Sequence, residues 1–260
     1  MNPEPLTVVK IGGAVIEDPS SLSRFLLSFA RIAGNKILVH GGGRTATALA
    51  SRLGLETRMS GGRRITDAPM LDVVTMVYGG LLNKRIVASL AALSLRPVGL
   101  TGADCGIILS HKRPVGEVDY GLVGDIDRVD SSTLRSLLRM GLTPVLAPLT
   151  HDGKGTLLNT NADTIAAHVA QALAPLYSTT LVYCFEKPGV LARPDDPSSV
   201  ISRLTPESYE ALRRDGTIQG GMLPKIDNAF RSLRAGVLSV VITGFDTLSD
   251  PSSGTTLTLR

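Results

Sequence analysis

The sequence predicts an α/β fold built on a mainly parallel sheet covered by helices on both faces. Three observations carry that expectation. Six short apolar runs, LTVVKI (6–11), KILVH (36–40), RPVGL (96–100), TPVLAPL (143–149), TTLVYCF (179–185) and LSVVIT (238–243), have the length and residue types of strands buried on both sides. Amphipathic stretches separate most of them, the signature of βαβ units. The chain has 260 residues, 43% of them hydrophobic and 19% charged, enough to bury a substantial core in one large domain or two closely packed lobes.

The first strand, 6–11, carries Lys10 near its tip and runs into the pair Gly12-Gly13. Pro19 and Ser20 open the first helix. The strand at 36–40 ends in Gly41-Gly42-Gly43, and a helical pattern follows. Thr66 is placed to cap a long helix from 67 to about 93, with Val74, Val77 and Leu81 on one apolar face. That helix contains Gly79 and Gly80, which cost about 1 kcal/mol each against alanine in a helix interior. Close helix packing is the expected compensation.

Residues 107–128 alternate apolar and polar positions between glycine turns and read as a β-hairpin excursion. After 143–149, LLNTNAD (157–163) leads into a helix for which Asn161 is the expected cap. The stretch 186–199, EKPGVLARPDDPSS, reads as a loop near a lobe boundary, and GGMLPKIDNA (220–229) opens a helix with Ile226, Phe230 and Leu233 on one face.

Composition narrows the function. Apolar runs are broken well before the roughly 20 residues that a bilayer span requires. The N-terminus lacks the basic start and apolar middle of a secretory signal, so a cytoplasmic address is expected. Cys105 and Cys184 stand apart without CxxC spacing and read as semi-buried thiols. The net charge of +4 permits nucleic-acid binding, but the basic residues are scattered and aromatics make up only 4%, too few for base stacking. Small anionic ligands explain the excess at least as well. His40, His111, His151 and His168 lack metal-ligand spacing, so no protein-held metal is expected, and only His40, beside the glycines, invites a test.

Residues 41–46, GGGRTA, fit the G-x-G-x-x-A fingerprint of a dinucleotide site. The acidic residue that such a site needs about 20 positions later is missing from the tip of an apolar strand; Glu56 lies in a polar, basic stretch. The loop still suits an anion, because glycines let backbone N–H groups approach closely at a helix start. Lys10 is a lysine in a strand expected to be buried, and Lys225 sits in the first turn of a helix, where a cation is disfavoured unless an anion is near. No Walker A sequence occurs.

VVKIGGAVI (8–16), LVHGGG (38–43), GRRIT (62–66), Asn83-Lys84, VGLTGAD (98–104), LLNTNAD (157–163) and GGMLPKIDNA (220–229), in that order along nearly the whole chain, resemble the amino acid kinase family. The resemblance implies a three-layer αβα sandwich with an N-terminal lobe, 1–177, that binds an acylamino acid and a C-terminal lobe, 178–260, that binds ATP. It implies phosphorylation of the γ-carboxylate of an N-acyl-L-glutamate, N-acetyl or N-succinyl, in arginine biosynthesis, with Mg²⁺ held through the ATP phosphates. By similarity Lys10 and Lys225 contact the transferring phosphoryl group and Asp163 holds them in position. Gly12, Gly13, Gly42 and Gly43 offer N–H groups to phosphate and substrate, while Arg64 and Asn159 grip the substrate, the arginine taking its α-carboxylate.

Relatives carry T-D-V-x-G-V-L where this chain has FEKPGVL (185–191), which leaves Glu186 and Gly189 as expected neighbours of ATP. An arginine-insensitive homodimer is expected, since few residues precede the first strand. Two other readings remain open at this point: a noncatalytic sensor of the same fold, and a dinucleotide-dependent dehydrogenase.

Overall fold

A computed structural model describes residues 3–193, 195–219, 222–248, 250 and 253–260, with only the backbone of Pro224. In chain order come β1 (Pro5–Ile11), α1 (Gly13–Glu17), α2 (Pro19–Arg31), β2 (Asn35–His40), α3 (Gly43–Arg52), β3 (Met59–Ser60), β4 (Arg63–Arg64) and α4 (Ala68–Val74). A π-helical segment (Thr75–Leu82), α5 (Asn83–Ala92), β5 (Pro97–Leu100), β6 (Ile108–Lys112), β7 (Gly124–Val129), α6 (Ser131–Arg139), β8 (Thr143–Leu146) and β9 (Leu149–His151) come next. The chain closes with β10 (Leu157–Asn159), α7 (Ala162–Leu173), β11 (Ser178–Phe185), β12 (Arg203–Leu204), α8 (Pro206–Arg214), α9 (Met222–Arg234), β13 (Ser239–Gly244) and β14 (Thr255–Leu257). The alternation is that of an α/β fold. Among the described residues no helix is long and apolar enough to cross a membrane.

The residues form two compact units, Met1–Lys36 with Ala166–Arg260, and Ile37–Ile165. In the first unit β11 is flanked in parallel by β1 and β13, which sets Lys10 beside Tyr183 and Ile11 beside Cys184. β14 then pairs antiparallel with β13, and β12 parallel with β14. Val8, Val9, Ile11, Leu181, Tyr183 and Val240 are fully buried, as continuous apolar strands of a two-sided sheet require. Asp18 caps α2 by accepting the Ser21 N–H at 2.7 Å, and the helix buries Phe25 and Phe29, stacked at 6.1 Å.

In the second unit β8 lies between β2 and β5, all parallel. A second sheet has the order β10-β9-β6-β7, in which β6 and β7 form the expected hairpin, with a register shift between Leu109 and Ser110. The run 143–149 is not one strand. Pro148 has no N–H to donate to a ladder, so β8 stops at Leu146 and the chain passes into β9 of the other sheet.

The long helix departs from expectation in three ways. Its cap is Asp67, which accepts the Met70 N–H at 3.0 Å, while the Thr66 hydroxyl donates to the Arg64 carbonyl at 3.1 Å. Its middle is π-helical around Gly79 and Gly80, which supply the backbone freedom that a widened turn needs. The extra residue in that turn rotates the helix beyond it, so Leu82 is buried and Leu81 is 39% exposed. A Cβ on Gly79 would make only ordinary contacts, at 3.5 Å from Leu149 and Thr101, and one on Gly80 would face open space, so close packing is not what requires these glycines.

Candidate active site

In the first unit, β1 delivers Lys10 to the strand tip with only 8% of its surface exposed, and α9 delivers Lys225 in its first turn. Both ammonium groups lie over one ring. Nζ of Lys10 is 5.5 Å from the Phe185 centroid and Nζ of Lys225 is 3.8 Å from it. The negative face of an aromatic ring attracts a cation electrostatically. Phe185 is itself braced by Tyr183, the rings 6.5 Å apart and within 9° of parallel. The bulky departure from T-D-V-x-G-V-L thus has a physical role, which the sequence reading missed; the signal was an aromatic at a strand end in a chain with few of them.

The glycines of this unit divide. Gly13 has nothing within 4 Å of an added Cβ, so the space above it is open. Gly12 is engaged: its N–H donates to the Cys184 carbonyl at 3.0 Å, so in this arrangement it does not offer that hydrogen to a phosphate. Gly189 is buried, and a Cβ there would lie 2.8 Å from Val200 and 2.9 Å from the Thr255 hydroxyl. Packing of the 186–199 loop against β14 therefore explains this glycine, while Glu186 is exposed. Burial pushes the Cys184 thiol up to about 12, so it is inert, and Cys105 is exposed rather than semi-buried. Gly220 and Gly221 lie outside the described residues.

In the second unit the glycine loop meets Arg64. Gly42 has φ 153°, and a Cβ would fall 2.4 Å from Leu82 and 3.0 Å from Tyr78, so the π-helical segment leaves room for glycine alone. Arg64 is 7% exposed. Its Nη2 donates to the Gly43 carbonyl at 2.7 Å and to the Thr47 hydroxyl at 2.8 Å, and its Nη1 to the Thr57 hydroxyl at 3.2 Å. These are neutral acceptors. Among the described residues no carboxylate pairs with it. Nη1 also donates to the Met70 sulfur at 3.7 Å, so this buried guanidinium is held by neutral groups and lacks a counter-charge that an anion would supply.

Asn159, at the end of β10, donates to the Thr66 hydroxyl at 2.9 Å, and Thr66 is tied in turn to the Arg64 carbonyl. Asp163 is half-buried in the first turn of α7, whose cap is Asn161 as expected, accepting the Thr164 N–H at 3.0 Å. Arg63 is half-buried; burial first, and then the Arg113 guanidinium, work against its charge, while Asp125 supports it. Arg113 makes a forked ion pair with that same Asp125 and lies over the Tyr120 ring at 5.3 Å. One carboxylate thus pairs with Arg113 and lies within electrostatic reach of Arg63. The patch adjoins Asn159, because Val123 bridges to Asn159 and accepts the Arg113 N–H at 2.8 Å.

The amino acid kinase family model matches residues 5–244. The chain belongs to the amino acid kinase family. Within it, the chain is 55% identical over 254 residues to the acetylglutamate kinase of Phocaeicola vulgatus, covering 98% of both chains. It is 56% identical over 247 residues to that of Bacteroides thetaiotaomicron, 95% of this chain and 96% of the relative. Its fold is similar to N-acetylglutamate synthase from Neisseria gonorrhoeae complexed with coenzyme A and N-acetyl-glutamate, with a TM-score of 0.81 at 23% identity, over 100% of this chain and 60% of that one. The family placement agrees with an αβα architecture, and the dinucleotide reading of the first glycine loop is set aside.

Proposed function

We propose that this family member transfers the γ-phosphoryl group of ATP to the γ-carboxylate of an N-acyl-L-glutamate, giving the acyl phosphate and ADP in arginine biosynthesis. The observation that carries the acceptor side is Arg64, a desolvated guanidinium whose partners are all neutral. A substrate α-carboxylate supplies the missing charge in a forked pair that takes over N–H groups now donated to neutral acceptors. Gly42, Gly43 and Asn159 complete the acceptor set.

The nucleophile needs no base. A γ-carboxylate has an ordinary pKa of about 4.3 and is ionised at neutral pH. The obstacle is repulsion between this anion and the phosphates, which positive groups and N–H donors must offset while charge spreads over the transferring group. Lys10, Lys225 and the open approach to Gly13 fit a polyphosphate, with Glu186 and Gly189 assigned to the nucleotide's surroundings. Asp163 takes the electrostatic partnership with the two lysines that the resemblance implies. Mg²⁺ held by the phosphate oxygens would add positive charge; among the described residues no cluster of side chains is built to hold a metal itself. The acylamino-acid lobe is assigned to 1–177 and the ATP lobe to 178–260, in a cytoplasmic homodimer.

ADP release that depends on both ATP and N-acetyl-L-glutamate, with the acyl phosphate trapped as its hydroxamate, tests the reading. Saturable binding without turnover would instead make the chain a sensor. The Arg63–Arg113–Asp125 patch favours a second reading of the acyl group, one with its own carboxylate such as succinyl. R63A should then lower the kcat/KM ratio of N-succinyl- to N-acetylglutamate at least about 10-fold, as expected for losing a charge-assisted hydrogen bond. An unchanged ratio removes Arg63 from the acyl site.

A further inference from the structure

Asn83 and Lys84, with the buried His40, stand out in sequence or structure yet have no part in the chemistry above. We infer that His40 is a positioning residue, whose Nδ1–H pins the Gly41 carbonyl and so sets the direction of the glycine loop. The inference rests on the kinase reading for its functional consequence and on hydrogen-bond logic for its geometry.

His40 ends β2 and has none of its surface exposed. Its Nδ1 lies 2.8 Å from the Gly41 carbonyl oxygen and its Nε2 lies 3.2 Å from Nδ2 of Asn83. The tautomer follows from the Asn83 amide. Nδ2 of Asn83 is 2.9 Å from the Val145 carbonyl, which only accepts, so that atom must be the NH₂ donor. Its oxygen in turn accepts from Nζ of Lys84 at 3.2 Å. The second amide hydrogen then points at Nε2 of His40, which must be the acceptor, and the ring proton sits on Nδ1. A carbonyl beside Nδ1 requires the same assignment independently. Burial, which lowers the pKa of His40 to about 4, keeps the ring neutral near pH 7.

Every link from Lys84 to Gly41 has one consistent direction, and both ring nitrogens are committed. His40 therefore has no capacity left for acid or base work. In a trans peptide the carbonyl and the next N–H point oppositely, so fixing the Gly41 oxygen turns the Gly42 N–H away from the histidine. Gly42 cannot move aside, because Leu82 and Tyr78 close on its Cα. The far end is equally confined: Nζ of Lys84 donates to the Gly99 carbonyl at 3.0 Å, and a Cβ on Gly99 would lie 2.0 Å from Oδ1 of Asn83. This explains Gly99, the first glycine of VGLTGAD.

The test contrasts two substitutions of similar size. Asparagine sets an amide nitrogen near the place of Nδ1, and glutamine sets one near the place of Nε2. H40N should keep kcat within about 5-fold of the parent, and H40Q should lose on the order of 10- to 100-fold, the cost of misplacing a reacting group by about 1 Å. KM for ATP should stay constant in both. Equal losses, or the reverse order, overturn the inference, as does a loss that appears only in KM for ATP. If neither variant folds, ¹⁵N-resolved NMR of the imidazole in the parent protein decides. A neutral Nδ1–H ring from pH 5.5 to 8 supports the assignment, and an Nε2–H tautomer or titration near 6.5 refutes it. Should the parent show no turnover with any N-acylglutamate, the kinase reading falls and the same NMR experiment still settles the histidine.

Discussion

Arg64 in the second unit is fixed by three neutral oxygens at 2.7, 2.8 and 3.2 Å, whereas Lys10 and Lys225 in the first unit lie over the face of a single ring at 5.5 and 3.8 Å. A planar guanidinium tied down by short hydrogen bonds holds one orientation, which suits a carboxylate that stays put. An ammonium is a compact point charge on a flexible stem, and here two of them share one aromatic face. That suits a phosphoryl group whose charge moves during transfer. In the proposed reaction the guanidinium would serve the stationary end and the ammonium groups the reacting end.

Removing the reacting-end charge should have the largest effect. K10M or K225M is expected to lower kcat about 100- to 1000-fold, as loss of a preorganised transition-state donor does, with KM for the acylglutamate little changed. Steady-state assays of both variants check it, and a loss confined to KM would break the comparison.

Acid comes next, and it acts on the second unit. A histidine in the unfolded chain titrates near 6.5, while His40 in the folded state titrates at about 4, so the unfolded state takes up the proton first. This contribution is complete above about pH 6.5 and is lost as pH falls from there towards 4, about 3 kcal/mol in all. Urea unfolding at pH 7.5, 5.5 and 4.5 measures it. H40N should flatten that part of the profile, and an equal slope in H40N would contradict the source assigned.

R64K should raise KM for the acylglutamate by tens-fold, since a lysine cannot reproduce the fork, equivalent to about 2 kcal/mol. The smallest effect belongs to Phe185: F185L removes a cation–π contact of about 0.5–1 kcal/mol per lysine and should lower kcat/KM about 3- to 10-fold. A full-activity F185L enzyme would mean that the ring is only packing.

Much of this organisation was legible in the residues. The main strands of both units, Lys10 at a strand tip and Asp163 in the first turn of a helix follow from apolar runs, glycine breaks and cap residues, because a strand buried on both faces leaves a continuous apolar trace. Four things were not. The π-helical turn shares its apolar content with an ordinary helix, so a 3.6-residue period wrongly turned Leu81 inward. The pairs 59–60 and 63–64 are too short to show alternation. The engaged N–H of Gly12 depends on which carbonyl the neighbouring strand presents, and that is a matter of register. Phe185 reads as core until two lysines are seen above it.

The most direct test of the stationary-end assignment is calorimetric titration of R64K with N-acetyl-L-glutamate and, separately, with Mg·ATP. Acceptor affinity should weaken at least about 10-fold while nucleotide affinity stays at the parent value. Undiminished binding of the acylglutamate would contradict the claim that Arg64 holds its carboxylate.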